Sequence, residues 1–570
     1  MKTVDREQRS FGKNFAERNM GDKMIPVDFT VLLQNIRAEY KDKRTVYGVP
    51  VKFIDKKKSY KNEYMDIELP FGPAAGPHTQ MAQNIAAAYA GGARFFELKT
   101  VQILDGESMH INKPCISVPD ECYNIEWSTE LTIEQAFAEY VKAYFLLKFM
   151  AVEFGMGRID GFSFNMSVGY DLQGIKSDKV NKFIDNMKDA GRTETYKYCY
   201  AQLKNELSTC ELFSAADLAD IGTNITDSIT VSTMHGCPAG EIEKIAGYLL
   251  IEKESPVYVK LNPTLNGLSE TQKLLTNKGY GYIKLIESNF RDDLKLTEAV
   301  DMLAHLLVQA EKLGRFFGVK LTNTLPVLVD RKQLPDEQMY LSGKPLFLLS
   351  LAVADKLANI FGERLPISFS GGLDGHNIAP MLEAGIYPLT MATVLLQGKG
   401  YGYFAEYADI IGKVQKNANR PQKNKINILL KNSLADAYYE KKRSGHKKND
   451  IGLPMLNCKN CQLCIKVCPN RANIMLEAGG KRQIIHIDAF CNECGNCATF
   501  CPYAGKPYHA KFTIYNSPAA FATSENSGMV WLNGECKIRL NTTIRHEDDI
   551  TYKNLLAAVQ AKYMAVNICE

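Results

Sequence analysis

No charge of one sign dominates this 570-residue sequence. Its 68 lysines and arginines stand against 64 aspartates and glutamates, a net charge of only +4, and the basic residues are scattered. That balance argues against nucleic acid or an anionic membrane surface as a partner. No apolar run approaches the roughly 18–20 residues that a membrane span needs. The longest, "PLFLLSLAVA", reaches about half of that. The opening segment, "MKTVDREQRSFGKNFAERNMGDKM", is polar and charged, unlike a secretory leader. These absences lead us to expect a cytoplasmic protein with neither membrane nor nucleic acid as partner. What remains is ordinary for a globular chain, 45% hydrophobic and 23% charged, and long enough for more than one domain.

Cysteine is the exception to this blandness. There are fifteen, and in a chain read as reduced they point to metal or catalysis rather than disulfides. Eight fall in two boxes, "CKNCQLCIKVCP" and "CNECGNCATFCP", each spaced C-x2-C-x2-C-x3-C-P. Three closely spaced thiolates suit three irons of one [4Fe–4S] cube, and the cysteine before proline crosses to the other cube. This predicts one cluster on Cys458, Cys461, Cys464 and Cys501, and a second on Cys468, Cys491, Cys494 and Cys497. A zinc ribbon is the main rival, but it has no use for this spacing twice over. The other cysteines, among them Cys115 and Cys122 in "KPCISVPDECYN", show no metal spacing and read as structural.

Upstream, from about residue 66 to 405, strand-like apolar runs alternate with amphipathic helical stretches. Such βα repetition predicts a parallel sheet, and about eight repeats suit an α/β (β/α)8 barrel. Nine runs compete for eight places, and either "GYIKLIESN" or "FGVKLTNTLP" falls outside. We read 1–65 as an N-terminal arm with a helix around "VDFTVLLQNIRAEY". The polar stretch near 175–225 reads as a helical insertion over one end of the barrel. A basic helical linker is expected over 406–450, a ferredoxin-like cysteine domain over 451–510, and an unassigned extension over 511–570.

Barrel enzymes gather their chemistry at the C-terminal strand ends. Here those ends read "PFGPAAGP", "ELKTVQ", "VYVKLNPT", "VKLTNT", "SFSGGLDG" and "TMATVLL". A lone lysine after a strand is usually a solvated charge and a lone Gly-Gly a turn. Three lysines, two asparagines and a Gly-Gly at the strand ends of one barrel make that bland reading weaker. Iron–sulfur clusters move single electrons and need a two-electron partner, usually a flavin or nicotinamide. No G-x-G-x-x-G loop follows a strand here: "GKGYGY" and "AGGARF" fail the pattern. We therefore expect no nicotinamide site, and electron exchange with a separate protein, a flavoprotein or molybdenum hydroxylase subunit.

The series "GPAAGP", "ELKTVQ", "FNMSVGYD", "HGCP", "VKLNPT", "SGGL", "TMAT" resembles the FMN barrel of the dihydroorotate dehydrogenase superfamily. Dihydropyrimidine dehydrogenase is the most similar member, since it too follows its barrel with two [4Fe–4S] clusters. Runs such as "STMHGCP" also resemble bacterial proteins that carry the name of a selenate reductase subunit. The resemblance implies FMN held by Ala74, Ala75, Lys99, Thr100, Lys260, Gly371, Gly372, Ala392 and Thr393. It implies substrate contacts at Asn165, Asp171, Asn262, Asn323 and Thr324. It implies a proton donor at Cys237, with His235 as tuner or relay. Met234, His235 and Gly236 depart from the family before that cysteine, as does Asp171, where the family has asparagine. A pyrimidine is therefore less expected than a small heterocycle in general, pyrimidine- or purine-derived. The alternative is a non-catalytic electron-transfer subunit whose barrel is a scaffold.

Overall fold

A computed structural model describes residues 24–563, apart from 107, 110, 119–120, 126–127, 233–234, 329–333, 415–419, 443–447, 533–534 and 542–548. Eight parallel strands form its centre: β1 (Phe71–Pro73), β2 (Phe95–Glu97), β3 (Ser163–Gly169), β4 (Ser228–Ser232), β5 (Val257–Leu261), β6 (Phe317–Leu321), β7 (Ile367–Phe369) and β8 (Leu389–Met391). Nearly every residue in them is buried. Sheets covered on both faces read as continuous apolar or small-residue runs rather than alternating ones. Neighbours pair in chain order from β2 to β8, and β8 pairs back onto β1. At the β1–β2 seam, Arg94 N donates to Phe71 O at 2.9 Å. A Cβ on Gly72 would stand 1.8 Å from Phe95 O, so glycine alone permits this closure. The molecule is an α/β protein built on a (β/α)8 barrel.

Of the two runs competing for one place, "FGVKLTNTLP" supplies β6. "GYIKLIESN" contributes only Lys284–Leu285, a short and part-exposed strand of another sheet. That sheet is antiparallel and five-stranded: Ile116–Ser117, Cys122–Asn124, Lys284–Leu285, Leu325–Leu328 and Gln338–Ser342. It draws on the loops after β2, β5 and β6 and walls the mouth of the barrel.

The stretch near 175–225 does not sit over an end of the barrel as expected. Its helices Asp178–Lys188 and Glu194–Glu206 bury Val180, Phe183, Ile184, Tyr196 and Leu203 on the flank, against Ile133–Glu153. The reason lies in the partner: Ile133–Glu153 is buried around most of its circumference and has apolar surface to offer there. The described helices of the expected linker over 406–450 are likewise packed rather than free. Tyr403–Lys413 buries Phe404, Tyr407 and Ile411, and Lys423–Ala435 lies on Lys344–Phe361, so both belong to the helical coat. Among the described residues Lys344–Phe361 holds the only stretch long and apolar enough to cross a bilayer, and most of it is buried in that coat.

The N-terminal helix Phe29–Lys43 is capped by Asp28, whose carboxylate accepts from Thr30 N at 2.8 Å. It buries Phe29, Leu32, Leu33 and Ile36, so this part of the arm is docked. Beyond the barrel, Asn473–Ala478 and Lys481–Ile487 of the cysteine segment share one five-stranded sheet with Phe512–Ile514, Gly528–Leu532 and Glu535–Arg539. The extension after 510 thus completes the sheet of the cysteine segment, and helix Asp549–Tyr563 packs on its edge strand. Cys569 and Met234 lie outside the described residues.

At the N-terminal end of the barrel, Arg94 and Glu68 form an ion pair with neither side chain exposed, Nε to Oε2 2.6 Å. Arg94 also donates to the carbonyls of Tyr89, Ala93 and Met156 and lies over the Tyr89 ring. A Cβ on Gly157 or Gly161 would collide with the Glu68 carboxylate at 2.4 and 2.6 Å. This cluster lies opposite the mouth.

Candidate functional site

A cavity of about 390 Å³ opens where the strands end at the mouth, a size typical of small-molecule and cofactor sites. Its floor carries a three-residue charge cluster from β2, β5 and β6. Glu97 Oε1 pairs with Lys260 Nζ at 2.6 Å, and Oε2 pairs with Lys320 Nζ at 2.9 Å. Lys320 also donates to Thr390 Oγ1 (2.7 Å) and Ser368 Oγ (3.3 Å). Burial pushes the Glu97 carboxyl up, but the two ammonium groups overcome it and hold it down at about 2. Lys320 is pulled down by burial to about 8, the shared carboxylate offsetting only part of that effect. Two lysines on one carboxylate leave a net positive charge beneath the cavity. Lys99, Thr100 and Lys260 line the cavity; Lys320 and Glu97 stand behind it. Lys320 appeared in the sequence only as a strand-end lysine, and Glu97 carried no separate signal.

Ala74, Ala75 and Gly76 after β1 line one wall with little side chain. Toward β7 and β8 the lining becomes Ser342, Gly372, Ala392 and Thr393, with Ser342 Oγ 2.9 Å from Thr393 Oγ1. Gly372 has φ +64°, and a Cβ there would stand 2.3 Å from Gly343 O. The neighbouring Gly371 does not line the cavity: its Cβ would meet Ser350 Oγ at 2.1 Å, so it packs on helix Lys344–Phe361. That helix begins beside this corner with Pro345 in its first turn, bringing the positive end of its dipole there.

The opposite rim is organised by Asp293, which sequence reading missed because it lies far from any motif. Its Oδ2 lies 2.6 Å from His235 Nδ1 and accepts from Thr264 Oγ1 (2.7 Å) and Asn262 Nδ2 (3.3 Å), while Oδ1 accepts from Gly236 N. Burial raises the Asp293 carboxyl, but His235 and these donors hold it below the usual carboxylate range. His235 lines the cavity, its Nε2 3.3 Å from Thr324 O. Cys237 does not. Its thiol sits two residues on, part-buried, and is pushed up to about 11 by burial and by the nearby Glu241, Asp171 and Asp293.

Among the expected substrate residues, Asn323 and Thr324 line the cavity. Asn262 stands one step behind, its Oδ1 accepting from Asn323 Nδ2 at 2.8 Å. Asn165 and Asp171 are not brought in. Asn165 is consumed inside the barrel by Ser228 and Thr230, both at 2.7 Å. Asp171 caps helix Leu172–Ile175, accepting from Gly174 N at 2.7 Å. The structure adds Gln102, Asn124, Tyr170, Ser232 and Tyr340 to the wall. Tyr170 holds φ +114°, a costly conformation for a bulky residue and one met mainly at functional sites.

The eight box cysteines gather as two sets of four. Cys458, Cys461, Cys464 and Cys501 surround one small void with Leu453, Ile484 and Lys511. Cys468, Cys491, Cys494 and Cys497 surround another with Asn470, Asn473 and Tyr508. In each set one cysteine comes from the other box. Among the described residues, no three His, Cys, Asp or Glu side chains converge on a single metal ion. The second set abuts the cavity. Ile116 N donates to Cys494 O at 2.9 Å, Asn496 Nδ2 donates to Leu396 O at 2.9 Å, and both Ile116 and Leu396 line the cavity.

With this geometry established, the chain can be set beside known proteins. The family described as "Oxidoreductase YgfK, N-terminal TIM-barrel domain" matches residues 47–441. The chain belongs to that family. The matched range ends just past helix Lys423–Ala435, which agrees with placing that helix in the barrel coat. The YgfK proteins of Escherichia coli K12 and of E. coli O157:H7 are each 40% identical over 476 residues, covering 80% of this chain. The chain spans about half the length of these curated relatives, 46%. A crystal structure of DHODH in complex with ferulenol from Eimeria tenella aligns with TM-score 0.42 and 12% identity, over 69% of this chain and 95% of that one.

Proposed function

We propose that the chain is an FMN- and iron–sulfur-dependent oxidoreductase. Its substrate would be a small heterocycle, pyrimidine- or purine-derived, and it would exchange single electrons with a separate redox protein, a flavoprotein or molybdenum hydroxylase subunit. One observation carries the proposal: a cofactor-sized cavity with a positive floor shares its wall, through Ile116 and Leu396, with a void enclosed by four cysteines.

The residues fit the groups. The low wall of Ala74 and Ala75 admits a flat ring, and the Gly372 corner, where any Cβ would clash, suits a phosphate beside a helix N-terminus. FMN, when bound, supplies transfer of a hydride to or from substrate carbon. The ammonium of Lys260, which lines the cavity, would offset negative charge on a ring held there. Asn323, fixed by Asn262, and Thr324 present polar groups to the substrate edge, which suits a ring bearing carbonyl and N–H groups. His235, oriented by Asp293, lines the cavity and would pass a proton to or from a substrate bound there. Cys237 holds its proton through neutral pH but lies outside the cavity lining, so it ranks behind His235 as proton donor. The two cysteine sets suit [4Fe–4S] cubes, which carry one electron each.

Anaerobic purification followed by counts of iron, sulfide and flavin tests this reading. One FMN and about eight irons, the content of two cubes, are expected per chain; protein lacking flavin would refute the enzymatic reading. The electron-transfer scaffold is the weaker alternative, because a scaffold needs no open mouth lined with amide, hydroxyl and ammonium groups. His235→Ala is expected to reduce turnover by about 10²–10⁴-fold, the usual worth of a placed proton donor, with flavin and iron content unchanged. Wild-type turnover in that variant would assign the proton to Cys237 instead.

A further inference from the structure

We propose that the ribbon formed by Asn449–Gly452 and Tyr503–Ala504, beside Cys461, is the docking face for an acidic one-electron carrier protein. The inference rests on reading the eight cysteines as cluster ligands.

The two cysteine sets have opposite surroundings. The set containing Cys494 is pressed against the barrel: Cys115 N and Ile116 N donate to Cys494 O, and a Cβ on Gly495 would lie 2.5 Å from Pro114 Cβ. Tyr401 Oη, from the barrel, donates to Pro469 O at 2.6 Å beside Cys468. The other set is bounded only by residues of the C-terminal segment. Cys461 belongs to it, and among the described cysteines it alone is exposed. The order from the cavity outward is therefore inner set, outer set, solvent.

Where the outer set reaches solvent, the surface is patterned for a partner. The strand Asn449–Gly452 is exposed along its whole length and, among the described residues, pairs only with Tyr503–Ala504. Ile451 is 66% exposed, high for an isoleucine in a strand. Lys448 directly precedes this strand, Lys506 follows its partner strand by two residues, and Lys459 lines the outer void with Leu453 and Tyr503. All three are exposed, Lys448 Nζ donates to Ala498 O at 2.8 Å, and the single carboxylate on the ribbon is Asp450. An apolar centre within a positive rim is complementary to an acidic protein, and such rims act mainly by steering encounter. One electron crosses per encounter, so the carrier is oxidised by one as the chain is reduced by one, or the reverse. Two encounters balance one two-electron conversion in the cavity.

The test uses full-length chain purified anaerobically, with iron and sulfide measured first. The probes are a small acidic 2[4Fe–4S] ferredoxin and reduced methyl viologen, which needs no docking face. Lys448→Glu, Lys459→Glu and Lys506→Glu combined should weaken ferredoxin binding and slow its electron exchange by about tenfold or more at low salt. Raising salt should weaken wild-type binding in the same sense. Reduction by viologen should be unchanged, which also shows that the variant is folded and loaded. Equal ferredoxin binding by wild type and variant would overturn the inference. So would an absence of binding by loaded wild type, or a dimer of the chain that the three substitutions dissolve. Wild type without iron and sulfide would instead refute the reading of the cysteines themselves.

Discussion

Replacing Lys260 with methionine is expected to reduce turnover by about 10²–10³-fold, the range seen when one preorganised electrostatic donor is removed. Lys260 is the floor lysine that lines the cavity, and Glu97 holds it in place at 2.6 Å. A neutral side chain there leaves the Glu97 carboxylate with Lys320 alone, so the net positive charge of this cluster disappears. Among the described residues, only Lys99 then still presents an ammonium to the cavity. If the cavity holds FMN, the bound flavin of Lys260→Met should also become harder to reduce, with a lower midpoint potential. Turnover and potential should fall together. A variant with normal potential and normal turnover would show that this cluster supports the barrel and not the chemistry. Arginine at the same position separates charge from shape, since it keeps the one and changes the other.

The second large effect lies at the other end of the barrel and should spare the site. Arg94→Met removes the cation from the fully buried pair with Glu68 and also leaves three backbone carbonyls without their guanidinium donor. Breaking a buried ion pair by removing one partner costs about 3–5 kcal/mol, because the remaining charge is stranded. We expect a fall of that size in unfolding free energy, read from the denaturant midpoint at constant slope. Adding Glu68→Gln should recover part of the loss, since no uncompensated carboxylate would then remain buried. A single variant within 1 kcal/mol of wild type would mean that water reaches this pair.

These two predictions also mark what could be read locally and what could not. Lys260 was legible because a lysine near the end of an apolar strand, in the run Lys-Leu-Asn-Pro, stands out in a linear sequence. Arg94 and Glu68 were not, because nothing in "GGARFF" or "IELPF" records that β1 and β2 close a cylinder and trap them together. The same holds at the mouth. Asn165 and Asp171 looked like substrate ligands by motif, yet a neighbouring strand and a helix start engage them outside the cavity lining. Asp293 looked like nothing and fixes His235, Asn262 and Thr264 at once.

The sequence by itself determined the alternation of strands and helices, the glycine and lysine positions at strand ends, and the two cysteine boxes. All of these are encoded within a few residues of one another, where spacing and backbone geometry suffice. Only the tertiary structure decided which run became β6, that loops after three different strands unite to wall the mouth, and that the insertion lies on the flank. It also decided that Cys494 rather than Cys461 meets the cavity wall. Each of these depends on pairings between segments tens to hundreds of residues apart, and such pairings are selected by burial and hydrogen bonding across the whole molecule, not by local preference.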